Sequence, residues 1–230
     1  MQTNKSSPKL VWTGIFAIAM AYLEAAVVVY LRRIFGIVDV YPEMPPFDYT
    51  LGLTEAGREL ATLVMLFSLS LIAGKGLIAR TGYFIYSFGL WDIFYYIWLR
   101  VLIAWPQSLL DWDLLFLLPL PWWGPVAAPV IIASGMVIFG VIFVRMDEQG
   151  LSLTLGWYGW LVLSAGLLLM LFAFMADALM SLPASAQDLH RLRPEKFRWI
   201  IFLAGLAMPV YVLTRSILKA YTKPSPPTDL

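Results

Sequence analysis

Long apolar runs separated by short polar stretches dominate this chain. Six of them are long enough to cross a bilayer, because about 30 Å of hydrocarbon requires about 20 helical residues. The predicted spans are Leu10–Leu31, Glu59–Ile78, Tyr83–Ala104, Trp122–Val144, Trp157–Ser181 and Trp199–Ser216. The pattern therefore predicts an all-α polytopic transmembrane helix bundle, forming one integral membrane domain over residues 1–230.

Aromatic residues mark the ends of these spans. Trp and Tyr favour the headgroup level of a bilayer, because their rings are apolar and carry one polar atom. Residues of this kind are Trp12, Tyr30, Tyr83, Trp105, Trp122, Trp157 and Trp199. The first span is also much longer than the roughly 7–15 apolar residues of a secretory signal, so we expect it to remain in the protein as a helix.

Two stretches do not fit simple spans. Residues 41–48 contain three prolines, which predicts a loop with little regular structure. Residues 105–121 are rich in Trp, Leu and Phe but are interrupted by Pro106, Asp111 and Asp113. We expect a short interfacial or re-entrant half-helix here, followed by a helix that starts near Trp122.

Composition supports a membrane location and excludes several kinds of site. The chain is 60% hydrophobic and 13% charged, against about 45–50% and 25% in soluble domains. Without cysteine there is no disulfide, thiolate metal site or Cys nucleophile. With one histidine, His190, a bis-His haem and a Ser-His-Asp triad find no support, and its neighbours Arg191 and Arg193 indicate a surface position.

Orientation follows less directly from the charges. The connections 32–58, 105–121 and 182–198 share one side of the predicted bundle, here called the loop side, and both termini share the other. Lys and Arg are divided evenly between the two sides, so the positive-inside rule gives a tie. A basic N-terminal flank and acids on the loop side favour cytoplasmic termini, whereas Arg32 and Arg33 favour the reverse.

Charged residues inside the spans are the strongest functional signal. An ionisable group at the centre of a transmembrane helix costs about 2.5–3.5 kcal/mol even on mild scales, so it normally faces the bundle interior. Glu24 borders a stripe of small residues, Ala17, Ala21 and Ala25, that should face a neighbouring helix. Asp92 lies midway along the third span. We interpret Glu24 and Asp92 as candidate catalytic carboxylates.

Further polar residues should lie in the loop-side half of the bundle, beneath residues 105–121. The candidate substrate-binding residues are Arg100, Tyr96, Asp177, Arg32 and Glu59. Several could equally be structural, as ion pairs that fix helix register or as side chains that reach solvent near span ends. No residue pattern identifies a metal site or a cofactor.

Three functions remain open at this stage. The first is an intramembrane site for a lipidic substrate, such as an isoprenoid, quinone or phospholipid, with an anionic head held by Arg100 and Arg32 or Arg33. The second is a non-catalytic subunit or scaffold of a larger membrane complex, and the third is a proton-coupled transporter. The expected partners are the lipid bilayer, a lipidic ligand and other membrane proteins, and no nucleic acid is expected.

Overall fold

The computed structural model describes residues 6–37, 48–116 and 119–222, and within these ranges the chain forms an all-α bundle with one small β-hairpin. The helices are α1 (Ser6–Phe35), α2 (Tyr49–Ala73), α3 (Leu77–Ile103), α4 (Ala127–Glu148), α5 (Trp157–Met180), α6 (Ala186–Arg191) and α7 (Trp199–Thr222). The strands are β1 (Trp112–Phe116) and β2 (Trp122–Pro125). The predicted fold class, an all-α membrane bundle, is confirmed.

Five of the described helices, α1, α2, α4, α5 and α7, are long and apolar enough to cross a membrane. The chain is therefore an integral multi-pass membrane protein, although the predicted count was six. The helix that differs is α3, which has 27 residues and includes Arg80, Asp92 and Arg100. It packs against α1, α2 and α4, so neighbouring helices rather than lipid surround much of its polar surface.

Helix α2 begins ten residues before the predicted start at Glu59. The Asp48 side chain caps it by accepting hydrogen bonds from the backbone N–H groups of Thr50, at 2.8 Å, and Leu51, at 3.1 Å. This cap satisfies donors that have no partner within the helix. Arg58 and Glu59 consequently lie well inside α2 rather than at its end. Residues 41–47 of the predicted loop lie outside the described residues.

The expected half-helix after Trp105 is a hairpin instead. Strands β1 and β2 pair antiparallel, with Asp113 opposite Gly124 and Leu114 opposite Trp123. Aromatic residues favour strands, and the prolines at 119 and 121 oppose a helix in the connection. Because the hairpin continues to Pro125, α4 starts at Ala127 rather than near Trp122.

Small residues allow the helices to approach closely. A Cβ atom on Gly89 of α3 would lie 2.5 Å from the carbonyl oxygen of Ala133 in α4, and one on Gly166 of α5 would lie 2.6 Å from that of Gly205 in α7. The alanine stripe of α1 is fully buried and packs largely against the aromatic face of α3. The stripe therefore forms a helix contact within this chain.

Candidate functional site

A cavity of about 550 Å³ lies in the loop-side half of the bundle. Its walls come from the second halves of α1 and α3, the first halves of α2 and α4, and the β-hairpin, with α6 at one edge. The sequence predicted that polar residues from four helices would lie in this half of the bundle. Five of the seven predicted site residues line the cavity: Glu24, Arg32, Glu59, Asp92 and Tyr96.

The Glu24 carboxylate is held between two residues of α2. It forms an ion pair with the Arg58 guanidinium and accepts a hydrogen bond from the Thr62 hydroxyl at 3.1 Å. Arg58 also binds Glu55, one turn earlier in α2, at 2.8 Å. Helices α1 and α2 otherwise contact each other at few positions. Glu24 and Arg58 therefore form much of the polar connection between these two helices.

Asp92 differs from Glu24 because it has no such partner. Its side chain lines the cavity and forms no hydrogen bond or ion pair with any residue in the described ranges. The charged side chain that acts on it electrostatically is another carboxyl, that of Asp113. A buried carboxylate is costly unless a proton, a cation or hydrogen-bond donors balance it. Asp92 is thus available to interact with whatever occupies the cavity.

Tyr95 lies one helical turn after Asp92, on the same face of α3. Its ring stacks on Trp91, with centroids 6.3 Å apart and planes 24° from parallel. The Tyr95 hydroxyl forms no hydrogen bond within the part of the chain that the structure describes, and the residue lines the cavity. Together, Asp92 and Tyr95 present an acceptor and a donor to the same space.

A hydrogen bond attaches the hairpin to α3. The Tyr96 hydroxyl donates to Oδ2 of Asp113 at 3.1 Å, and both side chains are buried. Asp113 is in turn one of the cavity residues. This bond fixes the hairpin over one end of the cavity, next to the Asp92 carboxyl.

Arg32 and Glu59 complete the polar lining. The Arg32 guanidinium lies over the Trp105 ring, 4.1 Å from its centroid, and only 5% of the residue is exposed. Such a cation–π contact stabilises a partly desolvated guanidinium. Glu59, exposed by 9%, faces the same cavity from α2. The remaining wall is mainly apolar and aromatic, with Val28, Leu31, Phe88, Trp91, Phe116 and Met136 among its residues.

Two predicted site residues lie elsewhere. Arg100 donates to the carbonyl oxygens of Ala104, at 2.5 Å, and Pro106, at 3.1 Å, and so closes the end of α3. Asp177 accepts two hydrogen bonds from Arg198, at 2.8 and 2.9 Å. These bonds raise the pKa of the Arg198 guanidinium above its ordinary value. Neither residue lines the cavity.

Many cavity residues were not among the predicted site residues, and three of them are Tyr95, Asp113 and His190. Tyr95 could have been predicted from helical spacing, because a residue three positions after Asp92 lies on the same face of the helix. Asp113 is the one charged residue within β1. It was missed because the segment was predicted to be a half-helix. His190, expected at the surface, is half-buried and lines the cavity together with Leu189 of α6.

Comparison with protein-family models, with curated proteins and with solved structures finds no match to this chain. Within the described residues, no cluster of three or more His, Asp or Glu side chains is arranged to hold a metal ion. The fold and the cavity define the class: an integral multi-pass membrane protein with an acid-lined cavity among its helices.

Proposed function

We propose that this protein binds a lipidic molecule in the cavity, with the polar end of the molecule at Asp92 and the apolar part along the aromatic wall. The observation that carries the proposal is the Asp92 carboxyl, which has no hydrogen bond or ion pair among the described residues and faces a cavity of about 550 Å³. Ligand sites are typically mostly apolar, with a few polar groups that orient the ligand, and volumes of about 300–1,000 Å³ are usual.

The carboxyl groups give this site a capacity for proton transfer. Asp92 and Tyr95 line the same cavity, so a bound molecule would meet a carboxyl acceptor and a hydroxyl donor together. An isoprenoid, a quinone or a phospholipid each has an apolar part that suits the wall. Glu24 supports the site through Arg58 rather than by direct contact with the molecule.

A transporter is less well supported by the same structure. A proton relay would need polar groups that continue from the cavity toward the termini. On that side, the Ser70 hydroxyl donates to the Phe67 carbonyl and the Ser87 hydroxyl to the Tyr83 carbonyl. Both hydroxyls are thus engaged within their own helices.

Native mass spectrometry of gently extracted protein tests the proposal. Ala56→Trp in α2 would fill the cavity, because Ala56 lines it. Leu60→Trp is the matched control, since Leu60 lies one turn later and is 58% exposed. We expect a small molecule to accompany the wild-type and Leu60→Trp proteins and to be lost from Ala56→Trp. A wild-type protein without any bound molecule, or an Ala56→Trp protein that retains it, would contradict the proposal.

We propose in addition that α3, whose 27 residues are long enough to cross the bilayer, forms a sixth span. Both termini then lie on one side of the membrane, and the charge pattern described above favours the cytoplasmic side. The absence of native cysteine makes a single introduced cysteine a specific reporter. Lys219, near the end of α7, and Gln107, on the loop side, are both exposed. A membrane-impermeant maleimide added to intact cells should label Gln107→Cys and not Lys219→Cys. The reverse labelling would overturn this orientation.

A further inference from the structure

We infer that the cavity selects an amphiphile whose head carries a positive charge, such as an alkylamine, rather than a phosphate or carboxylate head. This inference rests on the proposed function and adds the chemical class of the ligand. It also departs from the expectation, based on sequence, of an anionic head held by arginines.

The charges of the described cavity residues support a cationic head. Two guanidinium groups, those of Arg32 and Arg58, line the cavity. The carboxyl side chains that line it number six, namely Glu24, Asp48, Glu55, Glu59, Asp92 and Asp113. Both guanidinium groups already have close contacts, Arg58 with Glu24 and Glu55 and Arg32 with Trp105. An anion would enter a space dominated by negative charge.

The immediate surroundings of Asp92 strengthen this argument. Among the described residues, its charged neighbour is the Asp113 carboxyl. Two carboxyl groups in a space of low dielectric repel each other when both are ionised. A cation beside Asp92 would balance the charge of its carboxylate, whereas an anion would add to the repulsion.

The aromatic wall fits the same class of ligand. Trp91 and Tyr95 stack beside Asp92 and line the cavity. Aromatic faces attract ammonium groups, most strongly where water is excluded. A carboxylate with aromatic rings around it is therefore suited to an ammonium head, and Phe88 and Met136 extend the apolar surface for its tail.

Calorimetric titration of the purified full chain in maltoside micelles tests the inference with octylamine, octanol and octyl phosphate, which share one tail. We expect octylamine to bind saturably and at least about tenfold more tightly than octanol. Octyl phosphate should show no saturable binding. Asp92→Asn should reduce octylamine affinity to that of octanol, and Asp92→Glu should retain the preference for the amine.

The control is Asp177→Asn, which removes a carboxylate outside the cavity and should leave octylamine binding unchanged. Octyl phosphate that binds as tightly as octylamine, or an amine affinity that Asp92→Asn does not alter, would overturn the inference. Equal, Asp92-independent binding of octanol and octylamine would leave the proposed function standing without this selectivity. If none of the three binds, both fail.

Discussion

The Glu24 carboxylate of α1 and the Arg58 guanidinium of α2 form an ion pair inside the loop-side half of the bundle. The side chains are exposed by 11% and 23%, respectively. Because α1 and α2 touch at few other positions, this pair fixes the separation of the two helices that form one wall of the cavity. The cavity therefore depends on a charge pair that is not itself free to bind a ligand.

Replacing one member of this pair should destabilise the protein. Glu24→Ala leaves Arg58 with Glu55 as its remaining ion-pair partner. We therefore expect the free energy of unfolding to fall by about 3 kcal/mol, the lower limit for a broken buried pair. A double-mutant cycle with Arg58→Met should give a coupling free energy of about 1 kcal/mol or more. Denaturant unfolding in micelles measures both. Glu55→Gln is the control, with an expected loss of about 0.5 kcal/mol of unfolding free energy. If the effects of Glu24→Ala and Arg58→Met were simply additive, the coupling would be refuted.

Asp92→Asn should behave in the opposite way. Since Asp92 has no hydrogen bond or ion pair among the described residues, the amide removes a half-buried, uncompensated acid and loses no contact. We expect the unliganded protein to gain about 0.5–2 kcal/mol of unfolding free energy, as is common where a functional group is kept at the expense of stability. A marked loss of stability, measured by the same unfolding assay, would show that Asp92 is structural.

Tyr96→Phe should loosen the hairpin. The change removes the hydrogen bond to Asp113 without altering ring packing, and a bond to a charged group contributes about 1.5–3 kcal/mol. Amide hydrogen exchange should accelerate in strands β1 and β2 and remain unchanged in α5. Tyr30→Phe is the control, because Tyr30 is 63% exposed. Equal exchange in the two variants would indicate that the hairpin is held by other contacts.

Gly166→Ala should separate α5 from α7. The added Cβ would lie 2.6 Å from the Gly205 carbonyl oxygen and 2.6 Å from Cδ of Pro209, which cannot rotate away. We expect a loss of about 1–3 kcal/mol, seen as a lower melting temperature. Gly135→Ala meets no atom within 4 Å, so helix propensity alone should make it neutral or slightly stabilising. Similar melting of the two variants would refute the close approach.

The helices were predictable from sequence because lipid-spanning runs are long and uninterrupted. The start of α2 was not predictable, because Gly52 and Gly57 weaken the helical pattern there. The Asp48 cap is a local interaction with the backbone. The hairpin was missed because its strands are short and depend on tertiary contacts. Trp122, for example, stacks on Phe174 of α5 with centroids 6.2 Å apart.

The candidate site was likewise predictable in part. Glu24 and Asp92 were visible as charges within apolar runs, and both line the cavity. Their different surroundings were not visible, because the pairing of Glu24 depends on how α2 is aligned with α1. Arg100 was visible as a charge in the same way, but it lies outside the cavity and donates to the backbone carbonyls of Ala104, which has a left-handed φ of 57°, and Pro106.

Photocrosslinking from two positions of α4 tests most directly whether a lipidic molecule occupies the cavity. A diazirine amino acid at Met136 would face the cavity, and one at Ile138, which is 59% exposed, would face lipid. After illumination in native membranes, mass spectrometry identifies the adducts. We predict one defined molecule at position 136 that is absent at position 138, where bulk lipids should dominate. The same mixture of bulk lipids at both positions, or no adduct at 136, would contradict the account.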